Sequence, residues 1–196
     1  MIASSNAVNL TDGLDGLAIG LVFLVAIAFA ILAYITGRAD YAQYLQIPYV
    51  AGSGELAVLS LALIGASIGF LWFNACPAEM FMGDTGSLCL GGIIGVFALL
   101  IRKEGLLVIL CGVFLVETLS VMLQVSYNKY HLRRYGVGKR LFRMTPLHHH
   151  FAASERGITW EYVIHQKPIH EAKVVTRFFL IAIFLAVITF VTLKIR

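Results

Sequence analysis

LAIGLVFLVAIAFAILAYI, residues 17–35, decides the fold of this 196-residue chain. It carries no charge and is about as long as the ~20 residues that take a helix across ~30 Å of hydrocarbon. Four further apolar runs follow at 56–73, 88–101, 106–125 and 174–193, and each reads as a membrane-crossing helix. The composition agrees: 59% hydrophobic residues, 13% charged and a mean hydropathy of +0.84 do not describe a soluble core. The expected fold is all-α, a polytopic helical membrane protein with about five transmembrane helices, built as a single membrane domain over residues 1–196. The third run is the shortest, at 14 residues, a length that also suits a re-entrant segment. We count it as a crossing because Arg102-Lys103-Glu104-Gly105 after it forms a polar hairpin and Gly86-Ser87 can lengthen it.

Three polar motifs interrupt these runs. SNAVNLTDGLDG spans residues 5–16, the second runs from Asn74 through FMGDTGS at 81–87, and TPLHHH spans 145–150. The first precedes helix one, the second joins helices two and three, and the third lies between helices four and five, so an even number of crossings separates each from the next. All three therefore reach one face. Ten of the 15 basic residues lie between Lys129 and Arg177, while the other side carries Arg38, Arg102, Lys103, Lys194 and Arg196. Short cytoplasmic loops are enriched in Lys and Arg, which puts the three motifs in the cytoplasm, the amino terminus with them, and the carboxyl terminus outside.

Residues 126–173 form the one extended polar stretch, expected to be a cytoplasmic loop carrying the triple histidine, with a short amphipathic helix near 127–135. No cleavable signal peptide is read at the start. The net charge of +4 sits mostly in this loop and suits anionic headgroups or a phosphorylated substrate; no basic-aromatic run points to nucleic acid. Cys76, Cys89 and Cys111 lack metal-ligand spacing and are read as packed thiols.

The chemistry begins with carboxylates. Asp12 and Asp15 are three apart and share a face if the first helix is already wound there; helix capping by Thr11 or Asp12 is the plainer alternative. Asp84, at the mouth of an apolar helix, is placed to hold a hard cation such as Mg²⁺, which takes one or two carboxylates plus phosphate oxygens; capping of that helix is again the alternative. A Walker A loop is absent, and Asp84-Thr85-Gly86-Ser87 occurs once and precedes a helix, unlike the aspartic protease loop. His148, His149 and His150 are awkward as three ligands of one zinc but suit hydrogen bonding to phosphate. Glu117 is an ionisable group at membrane depth, a functional candidate unless a buried partner explains it.

Asn6 to Ala18, Phe81 to Ser87 and Pro146 to Phe151 resemble the signature blocks of the phospho-N-acetylmuramoyl-pentapeptide transferases, among the polyprenyl-phosphate N-acetylhexosamine-1-phosphate transferases. The resemblance runs along essentially the whole chain. It implies Mg²⁺-dependent transfer from UDP-N-acetylmuramoyl-pentapeptide to undecaprenyl phosphate in the bacterial inner membrane, with release of UMP and formation of the first lipid intermediate of peptidoglycan. It also implies roles: Asp12 as a catalytic carboxylate, Asp84 as catalytic and a Mg²⁺ ligand, and His148 and His149 as catalytic. Asn6, Asp15, Asn74 and Phe81 line the nucleotide site, with Phe81 stacking on uracil, and His150 contacts substrate. Asn9 matches a position of that site and joins Asp84 at the metal. Membrane lipid is a further partner, a homodimer is compatible, and nucleic acid is not expected.

The family has about ten transmembrane helices, and the resemblance covers the second half; the adjacent aspartate pair of the first half has no counterpart here. The expectation is therefore a fragment with little or no activity alone. The 152–170 segment is longer than the family's usual link, and His165 and His170 receive no role. Two rival readings are an ion-binding or transport protein, in which Asp12, Asp15 and Glu117 line a pathway, and a related transferase using UDP-N-acetylglucosamine, which should differ in the histidine loop.

Overall fold

The computed structural model describes residues 1–152, 162–164, 167 and 169–193. His165, Lys194, Arg196 and most of the 152–170 segment lie outside the described residues. The described residues form α-helices and no strand, apart from isolated bridges pairing Arg140 with Tyr162 and Ala152 with Ile169.

The run at 17–35 becomes α2 (Leu17–Thr36), and it is the centre of the molecule. Leu17, Leu21, Val25, Phe29 and Leu32 are buried along its length. A helix apolar all round is one that expects cover on every side. A short α3 (Ala39–Tyr44) turns the chain into α4 (Ser53–Asn74), which packs antiparallel along α2. Thr36 and Ser53 share a hydrogen bond at 3.0 Å, and Ser53 Oγ also donates to the Ala33 carbonyl at 3.1 Å. Such bonds tie helices where the surrounding lipid offers no partner. The outer side of α4 presents Val58, Leu61, Ile68 and Trp72, and α9 (Glu171–Thr192) presents Leu180, Ile183, Phe184 and Val187. Exposed apolar rows on helices long enough to span are the lipid-facing surface of a polytopic membrane protein.

The third run is longer than its apolar core. α5 spans Gly83–Leu100, 18 residues, because Asp84, Thr85 and Ser87 are wound into its first turns. Its partner is α1 (Ile2–Thr11), a helix the sequence reading treated only as a polar motif. The two approach closely: a Cβ on Gly91 would stand 2.5 Å from the Ser4 carbonyl oxygen and 2.7 Å from Ser5 Cα. That proximity lets Ser5 Oγ donate to the Leu88 carbonyl at 2.7 Å, the pattern of small residues and short polar bonds that joins helices in lipid.

The fourth run departs from expectation. It is divided into α6 (Glu104–Leu110) and α7 (Gly112–Tyr135), set at 75° to each other, with the break at Cys111 beside a glycine, a usual place for a kink. Four helices are each long and apolar enough to cross a membrane, and the bent pair makes a fifth if it is one span. The separate amphipathic helix expected near 127–135 is instead the end of α7, so the polar loop begins at Gly136. Gln124 of α7 gathers that loop back: its Oε1 accepts from the Leu141 and Phe142 N–H groups at 3.0 Å each, and its Nε2 donates to the Phe142 carbonyl at 3.3 Å. The chain then enters α8 (Leu147–Phe151), which holds the histidines and packs on α7 and α9.

Candidate functional site

The three motifs meet. α1 ends at Thr11 and α2 begins at Leu17, so Asp12 and Asp15 lie in the turn between them and not on a helical face as expected. Neither caps α2, whose N-cap is Gly16 and has no side-chain cap bond. Asp84 does not cap α5 either; it is the second residue of that helix, after Gly83 at φ +68°. Asp12, Asp15, Asn74, Phe81 and Asp84 line one cavity of about 230 Å³ at the helix ends.

The geometry assigns each residue a distinct posture. Asn9 Nδ2 donates to Asp84 Oδ1 at 2.9 Å and to Ser87 Oγ at 3.0 Å, so α1 steadies the α5 carboxylate. These bonds use the Nδ2 of Asn9 and leave its side-chain Oδ1 as an oxygen donor. Asp15 Oδ2 accepts the Ala78 N–H at 3.0 Å, Asn74 Oδ1 accepts the Gly16 N–H at 3.1 Å, and Asn74 Nδ2 donates to the Met80 carbonyl at 2.7 Å. Asp15 and Asn74 thus line the cavity while fastening the loop before α5 to the turn before α2. Phe81 is 76% exposed, an open aromatic face at the rim. Asn6 is exposed on α1, donates to the Ile2 carbonyl at 2.9 Å, and is not among the cavity-lining residues.

The histidines do not act as one set: His148 and His149 lie ring against ring, and His150 points elsewhere. His148 is fully buried, and a Cβ on Gly13 would overlap its Nε2 and reach 3.0 Å from His149 Nε2. Both rings therefore face the aspartate turn. His150 turns away: its Nδ1 accepts the Arg143 N–H at 3.1 Å, and its ring lies against Phe142 and Phe151. Burial, and then the neighbouring His148, holds His149 below the ordinary histidine value; burial, and then Arg143, does the same for His150. Asp12 moves the other way. Burial raises its pKa, the Asp84 carboxylate raises it further, and His148 partly offsets both. Mutual repulsion of two carboxylates at one cavity is relieved by a cation, so the donor set fits a hard divalent ion. Among the described residues no group of three His, Cys, Asp or Glu is arranged to enclose a metal by itself. Sequence reasoning missed the Asn9 to Asp84 bond; the small residues of α5 that allow it were the available signal.

Residues 1–102, more than half of the chain, match the glycosyl transferase family 4 profile. The chain belongs to glycosyl transferase family 4. Residues 1–102 of this family 4 chain supply both carboxylate motifs, and the histidine segment lies beyond the matched region. The chain is similar to proteins named phospho-N-acetylmuramoyl-pentapeptide-transferase. It is 54% identical to that of Parabacteroides distasonis, over 99% of this chain and 46% of the relative. For Azobacteroides pseudotrichonymphae the identity is 55%, over 99% and 47%; for Chloroherpeton thalassium it is 52%, over 99% and 49%. This family 4 chain thus spans about half the length of the curated relatives it matches.

Proposed function

We propose that this chain carries the carboxylate and histidine part of a transferase that moves phospho-N-acetylmuramoyl-pentapeptide from its UDP-linked form to undecaprenyl phosphate, releasing UMP. The observation that carries the reading is the meeting of Asp12, Asp84 and His148 at one end of the helix bundle. The name shared by the similar proteins favours the muramoyl-pentapeptide substrate over UDP-N-acetylglucosamine. Against an ion pathway stands the clustering of Asp12, Asp15 and Asp84 at helix ends. The enrichment of Lys and Arg at 129–177 supports a cytoplasmic location for this end, in the inner membrane.

In this reading Asp84 and the side-chain carbonyl of Asn9 would hold Mg²⁺, with Asp12 as the catalytic carboxylate beside it. When bound, the ion neutralises diphosphate charge and stabilises the leaving UMP. The chain's own residues position the reactants. Phe81 stacks on uracil, the loop fastened by Asp15 and Asn74 keeps that ring in place, His149 donates to a phosphate oxygen, and His148 Nε2 faces the reacting groups from beside Gly13. Phosphoryl transfer asks mainly for alignment and charge stabilisation, and a cavity among helix ends supplies both.

The test is calorimetric binding of UDP-N-acetylmuramoyl-pentapeptide to the chain in lipid nanodiscs, with Mg²⁺ and with EDTA. Binding that needs Mg²⁺ and is lost in Asp84→Asn is expected. Binding indifferent to both would refute the assignment.

A further inference from the structure

Glu117 stands on α7 inside the apolar run and is 0% exposed. A carboxylate there is costly unless its oxygens are engaged. His148 engages them twice. Its backbone N–H points between Oε1 at 3.2 Å and Oε2 at 3.4 Å, and its Nδ1 lies 3.2 Å from Oε2. That N–H belongs to the first turn of α8, where no intrahelical acceptor exists. One side chain therefore anchors the backbone of His148 and stands directly against its ring.

The ring contact has a chemical consequence. A carboxylate accepts and does not donate, so the nitrogen facing it carries the hydrogen. In the neutral ring this leaves the lone pair on Nε2. Both ring nitrogens are buried and neither makes a full hydrogen bond among the described residues: Nδ1 stands in ion-pair contact with Oε2, and Nε2 faces Gly13 beside Asp12. A carboxylate behind an imidazole that sets its tautomer and aim is a recurrent device in sites that use the far nitrogen.

We propose that Glu117 is a positioning residue: it holds the hydrogen of His148 on Nδ1 and so presents a bare Nε2 to the Asp12–Gly13 turn. That this lone pair accepts a hydrogen bond or a proton from the bound substrate rests on the transferase reading; that Glu117 sets the ring does not. Glu117→Gln should reverse the arrangement. An amide has one acceptor oxygen, which the His148 N–H occupies, and its NH₂ is then turned to Nδ1, moving the ring hydrogen to Nε2.

The experiment is ¹⁵N NMR of the histidine-labelled chain in detergent micelles, with the His148 signal assigned by its loss in His148→Asn. In the native chain a protonated Nδ1 is expected; a bare Nδ1 overturns the proposal without any variant having to fold. Glu117→Gln is expected to move the protonated signal to Nε2, and Glu117→Asp to return it to Nδ1 in part. An unchanged Nδ1 signal in folded Glu117→Gln also overturns it. Where transfer is measurable, Glu117→Gln should lower kcat about 10- to 100-fold with KM nearly constant. Substrate binding indifferent to Mg²⁺ and to Asp84→Asn would refute the transferase reading while leaving the NMR result to decide the role of Glu117.

Discussion

Replacing Gly91 by alanine tests how the site is held. The added Cβ would stand 2.5 Å from the Ser4 carbonyl oxygen and 2.7 Å from Ser5 Cα, both backbone atoms that no rotamer change can move. α1 must then retreat by about 1 Å to reach ordinary contact, and overpacking of this kind costs about 1–3 kcal/mol. The same retreat stretches Ser5 to Leu88, at 2.7 Å, and Asn9 to Asp84 and Ser87, at 2.9 and 3.0 Å, beyond hydrogen-bond range. Three bonds at about 1 kcal/mol each, less about 1 kcal/mol recovered by removing a glycine from a helix, leave a net loss of roughly 3–5 kcal/mol. For a chain of this size that is roughly 10 °C in Tm. Gly92 is the internal control, since nothing lies within 4 Å of a Cβ there; its alanine variant should gain about 1 kcal/mol from helix propensity. The assay is thermal unfolding of both variants in the same detergent, followed by intrinsic fluorescence. Equal Tm values for Gly91→Ala and Gly92→Ala would refute the tight α1–α5 seam.

Two other predictions concern the cavity. The folded-state pKa of Asp12 is raised, by burial first and by Asp84 second, so its contribution to stability is fully present below the ordinary value of 3.8 and is lost as pH rises through the folded value. Asp12→Asn should therefore unfold at a higher temperature than the native chain at pH 7 in EDTA, with the difference vanishing in acid; a lower Tm at neutral pH would contradict the repulsion inferred. Phe81 is 76% exposed, so Phe81→Ala should leave Tm within about 2 °C yet weaken binding of the UDP-linked substrate roughly 10-fold or more, the scale of one lost aromatic–base stack. Calorimetry showing unchanged affinity would remove Phe81 from the nucleotide site.

The helices were legible because lipid imposes one rule: long runs without charge have to satisfy their own backbone. Residues 17–35 and 174–193 became α2 and α9 with small shifts at their ends. Polar helix ends were the harder part. Ser5, Asn6 and Asn9 read as part of a ligand motif although they wind α1, because the partner satisfying Ser5 and Asn9 is a helix some 80 positions away. The break at Cys111 had only the adjacent glycine as a signal, since no proline interrupts the run. At the site, the grouping of Asp12, Asp84 and the histidines followed from counting crossings. The anchoring duties of Asp15 and Asn74 did not, because backbone donors such as the Ala78 N–H leave no mark in a sequence.

The Gln124 clasp divides the segment after the bend into two mechanical parts. Everything that reaches the aspartate turn is fixed inboard of it, by Glu117 on His148 and by Gln124 on Leu141 and Phe142. The outboard hairpin, made of the last turns of α7 from Asn128 and the turn that follows at Gly136, closes on itself instead, with Gly138 seated against the Asn128 side chain. Changes in the length of that hairpin are absorbed before they reach the clasp, which makes its tip the natural port for a fused domain or a fluorophore on this face of the protein.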